Sequence, residues 1–318
     1  MTRHLAIVGP TASGKSAVAL AVATGLDDVE IVSLDSMQVY REMDIGTAKP
    51  SPAEQAAVRH HLVDVADPSE EWSVRATQTA AQAAVADIEA RGRRALLVGG
   101  TGLYVRAVVD GLSVPPRDFA VRAALERETA TAEGLERAYD RLATADPLAA
   151  SRIEPGNARR VVRALEVLQT TGRPFSSFGP GLADYGAPAF DVGLVGVWLP
   201  RAELGRRIAA RFASMRAAGL EAEVRALAER PRGLSRTAAQ AIGYKEILAH
   251  LDGEIASPAE AFDLAVRRTR EFARRQRVWF RRDPRIRWLG TARNPDQLAD
   301  VVVALWENTA ATVAADHS

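Results

Sequence analysis

The chain has 318 residues, 47% of them hydrophobic and 25% charged, with a formal net charge of +1 and no cysteine. The missing cysteines exclude disulfides, thiolate metal sites and cysteine nucleophiles, and the near-neutral balance means that partners must be read from where charge is concentrated. The length fits one large domain or a core carrying an insertion, and no run is apolar enough to span a membrane or to act as a signal peptide, so a cytoplasmic protein with no membrane partner is expected.

In chain order, Leu5-Ala6-Ile7-Val8 reads as a short buried strand and leads into Gly9-Pro10-Thr11-Ala12-Ser13-Gly14-Lys15-Ser16. That string fits G-x-x-x-x-G-K-[ST], a loop whose backbone N–H groups wrap phosphate oxygens. Lys15 adds a point charge for the outer phosphate, and the Ser16 hydroxyl is placed to hold Mg²⁺. Ser16 to Ala23 is rich in Ala, Val and Leu and free of breakers. Strand, loop and helix therefore follow in order, and the helix N-terminus points at the anion.

Glu30 to Leu34 reads as a second strand, ending in Asp35-Ser36-Met37-Gln38-Val39-Tyr40. A carboxylate at the carboxyl end of such a strand lies beside the ligand crevice of an α/β sheet. Asp35 is then a Walker-B-like Mg²⁺ holder, a base facing a substrate, or a solvated turn residue. Val74 to Arg91 is an Ala-rich helix, and Ala95 to Val98 is a third strand closing on Gly99-Gly100-Thr101-Gly102. Glycines there permit close approach to a ligand, and Thr101 offers a hydroxyl. The alternation predicts an α/β fold, a P-loop-type doubly wound parallel sheet.

Residues 112–188 read differently: from Phe119 to Thr170 the chain is almost all amphipathic helix, and Gly172 to Pro188 is a Gly/Pro-rich return. We expect a core of 1–111 and 189–318 with a helical insertion of 112–188. The strand pattern resumes at Val192 to Leu199, followed by helices over 201–218, 235–251 and 258–282. Arg207 and Arg211 lie one turn apart and can reach one point. Between Arg267 and Arg287 stand ten arginines and two acids (Glu271 and Asp283), a net +8, interleaved with Phe272, Trp279 and Phe280. Arginine forks and flat aromatic faces in such density form a nucleic-acid footprint. Trp279 sits among apolar neighbours and reads as core rather than as a base platform. A P-loop kinase of small molecules would explain the loop and Asp35 but leave this arginine-rich helix idle.

Together these strings resemble the bacterial tRNA dimethylallyltransferases. The likeness is carried by residues 9–16, 35–40, Met-Asp-Ile-Gly-Thr-Ala-Lys-Pro (43–50), Leu-Leu-Val-Gly-Gly-Thr-Gly-Leu-Tyr (96–104), Arg-Ala-Leu-Glu-Val (163–167), Ala-Ile-Gly-Tyr-Lys (241–245) and Arg-Arg-Gln-Arg-Val-Trp-Phe-Arg (274–281). It implies a cytoplasmic, monomeric enzyme that moves a dimethylallyl group from dimethylallyl diphosphate to the exocyclic amine of the adenosine just 3′ of a tRNA anticodon. The resemblance places the diphosphate on Gly9, Pro10, Thr11, Ala12, Ser13, Gly14, Lys15 and Ser16, a loop that also accommodates ATP, with Mg²⁺ at Ser16. It makes Asp35 the general base, has Thr101 position substrate, and sets Arg211 on the leaving diphosphate. The tRNA anticodon stem-loop is expected on Asp35, Ser36, Met37 and Gln38, on Thr101 and Arg122, and on Arg159, Arg160, Val161, Val162 and Arg163. Further contacts are expected at Gln240, Ala241, Ile242, Gly243, Tyr244 and Lys245, and at Arg274, Arg275, Gln276, Arg277, Val278, Trp279, Phe280 and Arg281. Gln240 and Lys245 stand where many relatives carry Arg.

Overall fold

The computed structural model describes residues 3–178, 184–290 and 295–315, which leaves part of the expected return linker (179–183) and Asn294 outside. Two compact units are present, Met1–Gly111 with Ala187–Ser318, and Leu112–Gly186.

In the first unit, strands β1 (His4–Val8), β2 (Val29–Ser33), β3 (His60–His61), β4 (Arg94–Gly99), β5 (Val192–Val197) and β6 (Arg287–Leu289) form one sheet, all parallel, in the order β3-β2-β4-β1-β5-β6. The strands read as unbroken apolar runs because both faces are covered. Leu5, Ile7, Leu96 and Val98 point to one face and pack on Val18 and Val22 of helix Lys15–Thr24 and on Leu298, Val302 and Trp306 of helix Pro295–Ala315. Their neighbours Ala6, Val8, Ala95 and Leu97 point to the other face. There they meet Val85 and Ile88 of helix Val74–Ala90, Ile208 and Phe212 of helix Arg201–Ala217, and Ala273 and Phe280 of helix Pro258–Phe280. The sheet is thus the doubly wound one expected. From β1 the chain crosses to β2, while β5 pairs on the opposite side of β1. The topological switch, where such sheets open a crevice, lies at the carboxyl end of β1.

Two strands go beyond the sequence pattern. β3 and β6 have two and three residues, too short to carry a period, and β6 begins at Arg287, the last arginine of the arginine-rich run. The single helix expected over 235–251 is instead a short 3₁₀ turn, Ala238–Gln240, and a helix, Tyr244–Leu251. Gly243 separates them at φ 102°, a conformation that no helix accommodates and that only glycine adopts without strain.

The second unit is a small helical body. Helices Phe119–Glu128, Ala132–Ala145, Pro147–Ala150 and Ala158–Thr171 enclose Leu125, Leu142, Val161, Val162 and Leu165. Asp118, Thr131, Asp146 and Asn157 cap the four N-termini through their side chains. Glu166 is fully buried, and its carboxylate accepts the Asp118 N–H at 3.0 Å and pairs with Arg163 at 3.0 Å and Arg122 at 3.4 Å. A buried charge is tolerated when paired and hydrogen-bonded in this way.

Candidate active site

The 9–16 loop leaves β1 and enters helix Lys15–Thr24 at Gly14, whose φ of 94° suits glycine. Ala12 holds φ 62°, a strained setting for an alanine. A methyl added at Gly100 would come within 3.3 Å of Lys15 Nζ, so the Lys15 ammonium lies against the end of β4. Desolvation in this crevice lowers the Lys15 pKa to about 8; the Asp35 carboxylate opposes that shift and the Arg211 guanidinium adds to it. Ser13 Oγ is buried inside the loop without a hydrogen-bond partner among the described residues.

Asp35 follows β2 by two residues. Its Oδ1 accepts the Met37 N–H at 2.9 Å and the Gln38 N–H at 3.4 Å, which fixes the carboxylate as a turn. Among the described residues, Oδ2 carries no hydrogen bond. The turn reading and the base reading are therefore compatible: one oxygen orients the group and the other is free. Lys15, Ser16, Asp35 and Gln38 line one cleft of about 150 Å³ at the carboxyl ends of the strands. A larger cavity of about 320 Å³, lined by Asp27, Glu30, Arg59 and Arg93, opens at the amino ends and holds none of these groups. Sheets of this class bind ligands at the carboxyl ends, so the smaller cleft is the relevant one.

Arg211 donates to Thr11 Oγ1 at 3.3 Å, and burial depresses its pKa while Asp35 opposes the shift. One turn earlier, Arg207 faces the loop: a methyl on Gly14 would come 3.4 Å from its Nη1. The sequence pairs Arg207 with Arg211 without giving it a role, and its place makes it a further cation at the loop beside Lys15 and Arg211, itself paired with Glu203 at 3.2 Å. Thr101 is the N-cap of helix Gly102–Val109, its hydroxyl making no capping bond. Gly102 is required because Trp279 packs on it; any Cβ would enter the indole. That contact agrees with Trp279 as core, and it joins helix Pro258–Phe280 to the 99–102 loop.

The Met43–Lys49 stretch is held from outside its own sequence. Glu223 accepts the N–H groups of Asp44 (3.1 Å), Ile45 (2.8 Å) and Gly46 (3.2 Å), together with the Tyr244 hydroxyl. Gln38 adds bonds to the carbonyls of Thr47 (3.3 Å) and Ala48 (3.1 Å). Glu223→Ala should cost on the order of 2–4 kcal/mol, because several backbone donors lose a charged acceptor together. Comparison of urea midpoints with wild type measures this, and an unchanged midpoint would mean the loop is held otherwise.

Several expected RNA contacts need correction. Val161 and Val162 are buried in the helical unit, and Ala241, Tyr244, Gln276 and Phe280 in the first unit, so their side chains have no surface to offer. Helical period explains Val161, Val162, Gln276 and Phe280, since a contiguous string on a helix always includes the inward face, whereas Ala241 lies in the break between the 3₁₀ turn and helix Tyr244–Leu251 and packs inward there. Arg122 and Arg163 are committed to Glu166, and Arg163 also donates to the carbonyls of Pro115 and Pro116. Arg159, Arg160, Gln240 and Lys245 are exposed. Of the ten arginines between 267 and 287, Arg268 pairs with Glu246 and Arg285 with Asp110 and Asp283. Arg277 stacks on Trp198 at 3.9 Å. Arg267, Arg270, Arg274, Arg275, Arg281, Arg282 and Arg287 are exposed and form the basic face.

The family model described as IPP transferase matches residues 38–283. A tRNA dimethylallyltransferase of Salinispora arenicola is 52% identical over 91% of this chain and 82% of that relative. One from Kineococcus radiotolerans is 50% identical over 92% of each. Among solved structures, a full-length tRNA isopentenylpyrophosphate transferase from Bacillus halodurans superposes with a TM-score of 0.69 at 35% identity, covering all of both chains. A eukaryotic dimethylallyltransferase described as acting on tRNA superposes with a TM-score of 0.71 at 27% identity over 87% of this chain and 70% of that one. With a phosphate loop at the switch point, a half-free carboxylate beside it and this match over most of its length, the chain belongs to the IPP transferase family of tRNA dimethylallyltransferases.

Proposed function

We propose that this enzyme joins dimethylallyl diphosphate to N6 of the adenosine at position 37, 3′ of the anticodon of tRNA, giving N6-isopentenyladenosine. The observation that carries the residue assignment is the free Oδ2 of Asp35 in the same cleft as Lys15 and Ser16. The adenine amine is a weak nucleophile because its lone pair is delocalised into the ring. Asp35 Oδ2 takes its proton as the new C–N bond forms, a general-base contribution of roughly 10²–10⁴. The allylic C–O bond breaks at the same centre, and the electron pair leaves with the diphosphate. The free N–H groups of the 9–16 loop, with Lys15 and Arg211, receive that charge. Thr101, whose hydroxyl makes no hydrogen bond among the described residues, positions the substrate.

The Ser16 hydroxyl is exposed and makes no hydrogen bond among the described residues. It is an oxygen donor of the kind Mg²⁺ takes, and no cluster of three acidic or histidine side chains competes for an ion among the described residues. Ser16 would therefore hold Mg²⁺ against the diphosphate oxygens, where the ion neutralises negative charge. A stacked anticodon base must be turned out to reach Asp35. The exposed arginines of helix Pro258–Phe280, and Arg159 and Arg160 of the helical unit, take tRNA phosphates. No helix is long and apolar enough to cross a membrane among the described residues, and a cytoplasmic monomer suits a tRNA substrate.

Labelled dimethylallyl diphosphate incubated with bulk unmodified tRNA tests the activity: label should enter the tRNA without ATP. Failure to label, with release of ADP from ATP instead, would return the chain to the P-loop kinases. The RNA face has its own expected result. Replacing Arg274, Arg275 and Arg281 together by Ala should flatten the slope of log affinity against log salt by up to about one unit per lost phosphate contact. Parallel salt curves for wild type and triple mutant would reduce these arginines to a solvated face.

A further inference from the structure

Helix Pro258–Phe280 buries Thr269, Ala273, Gln276 and Phe280 along one stripe, at spacings of one helical turn. Gln276 is the anomaly in that stripe, a carboxamide only 5% exposed among apolar side chains. A buried amide must find a partner for each of its polar atoms. Its Oε1 accepts the Thr11 N–H at 2.9 Å, and its Nε2 donates to the Gly100 carbonyl at 2.6 Å. One side chain thus clips the start of the phosphate loop to the end of β4, next to Thr101. Lys15 Nζ lies against the same Gly100. Both polar atoms of the carboxamide have a partner and the side chain is buried, so Gln276 is turned away from any RNA on the outer face.

The opposite side of this helix carries exposed Arg267, Arg270, Arg274 and Arg275. We propose that Gln276 is a positioning residue that couples the two substrates. Seating tRNA phosphates on the outer face settles the helix, and the carboxamide on the inner face transmits that to the phosphate loop. The loop is sensitive to this clip for a definable reason. Thr11 N–H is held by Gln276 and Ser13 N–H bonds the Pro10 carbonyl, so the diphosphate is left to the N–H groups of Ala12, Gly14, Lys15 and Ser16. Their aim is set by where the loop starts. Coupling of this kind is reciprocal: donor and tRNA each raise the other's affinity by one factor. The inference rests on the reading above, in which the donor occupies the 9–16 loop and tRNA the arginine face.

The test measures equilibrium affinity for dimethylallyl S-thiolodiphosphate, a donor analogue with an unreactive leaving group, with and without saturating unmodified tRNA. Wild type should bind the analogue roughly tenfold more tightly when tRNA is present, the order of effect expected from one or two repositioned hydrogen bonds. Gln276→Met keeps the side-chain length and removes both hydrogen bonds. It should abolish that dependence while leaving tRNA affinity without donor within about twofold of wild type. Gln276→Glu keeps the acceptor for Thr11 and should retain part of the dependence, which keeps the test decisive if the Met variant does not fold. A purely structural role would lower the melting temperature and both affinities without changing their ratio, and that result would overturn the proposal. So would a wild-type enzyme whose analogue affinity ignores tRNA, or a Met variant with wild-type coupling. Lys15→Ala separates the two levels: if it leaves analogue affinity unchanged, the placement of the donor itself is wrong. If it weakens binding while the Gln276 variants couple normally, only the role of Gln276 falls.

Discussion

Asp35→Ala should lower kcat by roughly 10²–10⁴ while leaving tRNA affinity close to wild type, because a general base acts in the transition state and contributes little to ground-state binding. The structure sharpens this expectation. Oδ1 also caps the turn at Met37 and Gln38, so the alanine variant loses two hydrogen bonds besides the base. Asp35→Asn is the cleaner probe: its amide oxygen can still accept those N–H groups, but it cannot take a proton. Both variants should be equally inactive, with Asn melting closer to wild type. Single-turnover rates and melting curves for the pair decide the matter. An Asn variant within a few-fold of wild type would show that Asp35 is a turn residue only.

Lys15→Met should raise KM for the prenyl donor by on the order of 10²-fold and lower kcat as well, since a charge-assisted phosphate contact is lost in both ground and transition states. The same substitution should stabilise the free enzyme at neutral pH. Lys15 has a folded pKa near 8, depressed by desolvation from the ordinary 10.5. Between those two values the unfolded chain holds a proton that the folded chain has released, so the native state gains stability as pH rises through that window. Below about pH 8 the penalty of holding a charged ammonium in the crevice is present in full. Lys15→Met removes it, so the variant should melt a few degrees higher than wild type at pH 7, with the difference shrinking towards pH 10.5. Donor kcat/KM of the wild-type enzyme should fall above about pH 8, as the free enzyme loses the Lys15 proton. Equal melting temperatures at pH 7, or a flat kcat/KM up to pH 10, would mean that Lys15 is not held in this desolvated setting.

Much of the core is readable from the chain alone. The loop from Gly9 to Ser16, the acid after β2 and the Gly-Gly-Thr string after β4 announce themselves because each is a local requirement: a tight turn, a strand end, a close approach of backbone. The apolar strands and the helix period of 201–217 are legible for a similar reason, since burial on both faces or on one stripe imprints a short-range pattern. The arginine density of 267–287 is equally plain as composition, although the fate of each arginine is not.

What the tertiary structure alone decided is which way those residues turn and what they meet. Tyr244 and Val161 belong to strings with an RNA-facing look, yet packing turns both inward. Glu223 carries no motif, and its role exists only because helix Leu220–Ala228 brings it under the backbone of Asp44 to Gly46. Gln276 left one faint signal, a polar residue in phase with Thr269, Ala273 and Phe280. Its partners, Thr11 and Gly100, lie 265 and 176 residues away. A hydrogen bond between such distant points is specified by the parallel order of the sheet, which sets the ends of β1 and β4 side by side beneath one helix, and no local pattern in the chain encodes that adjacency.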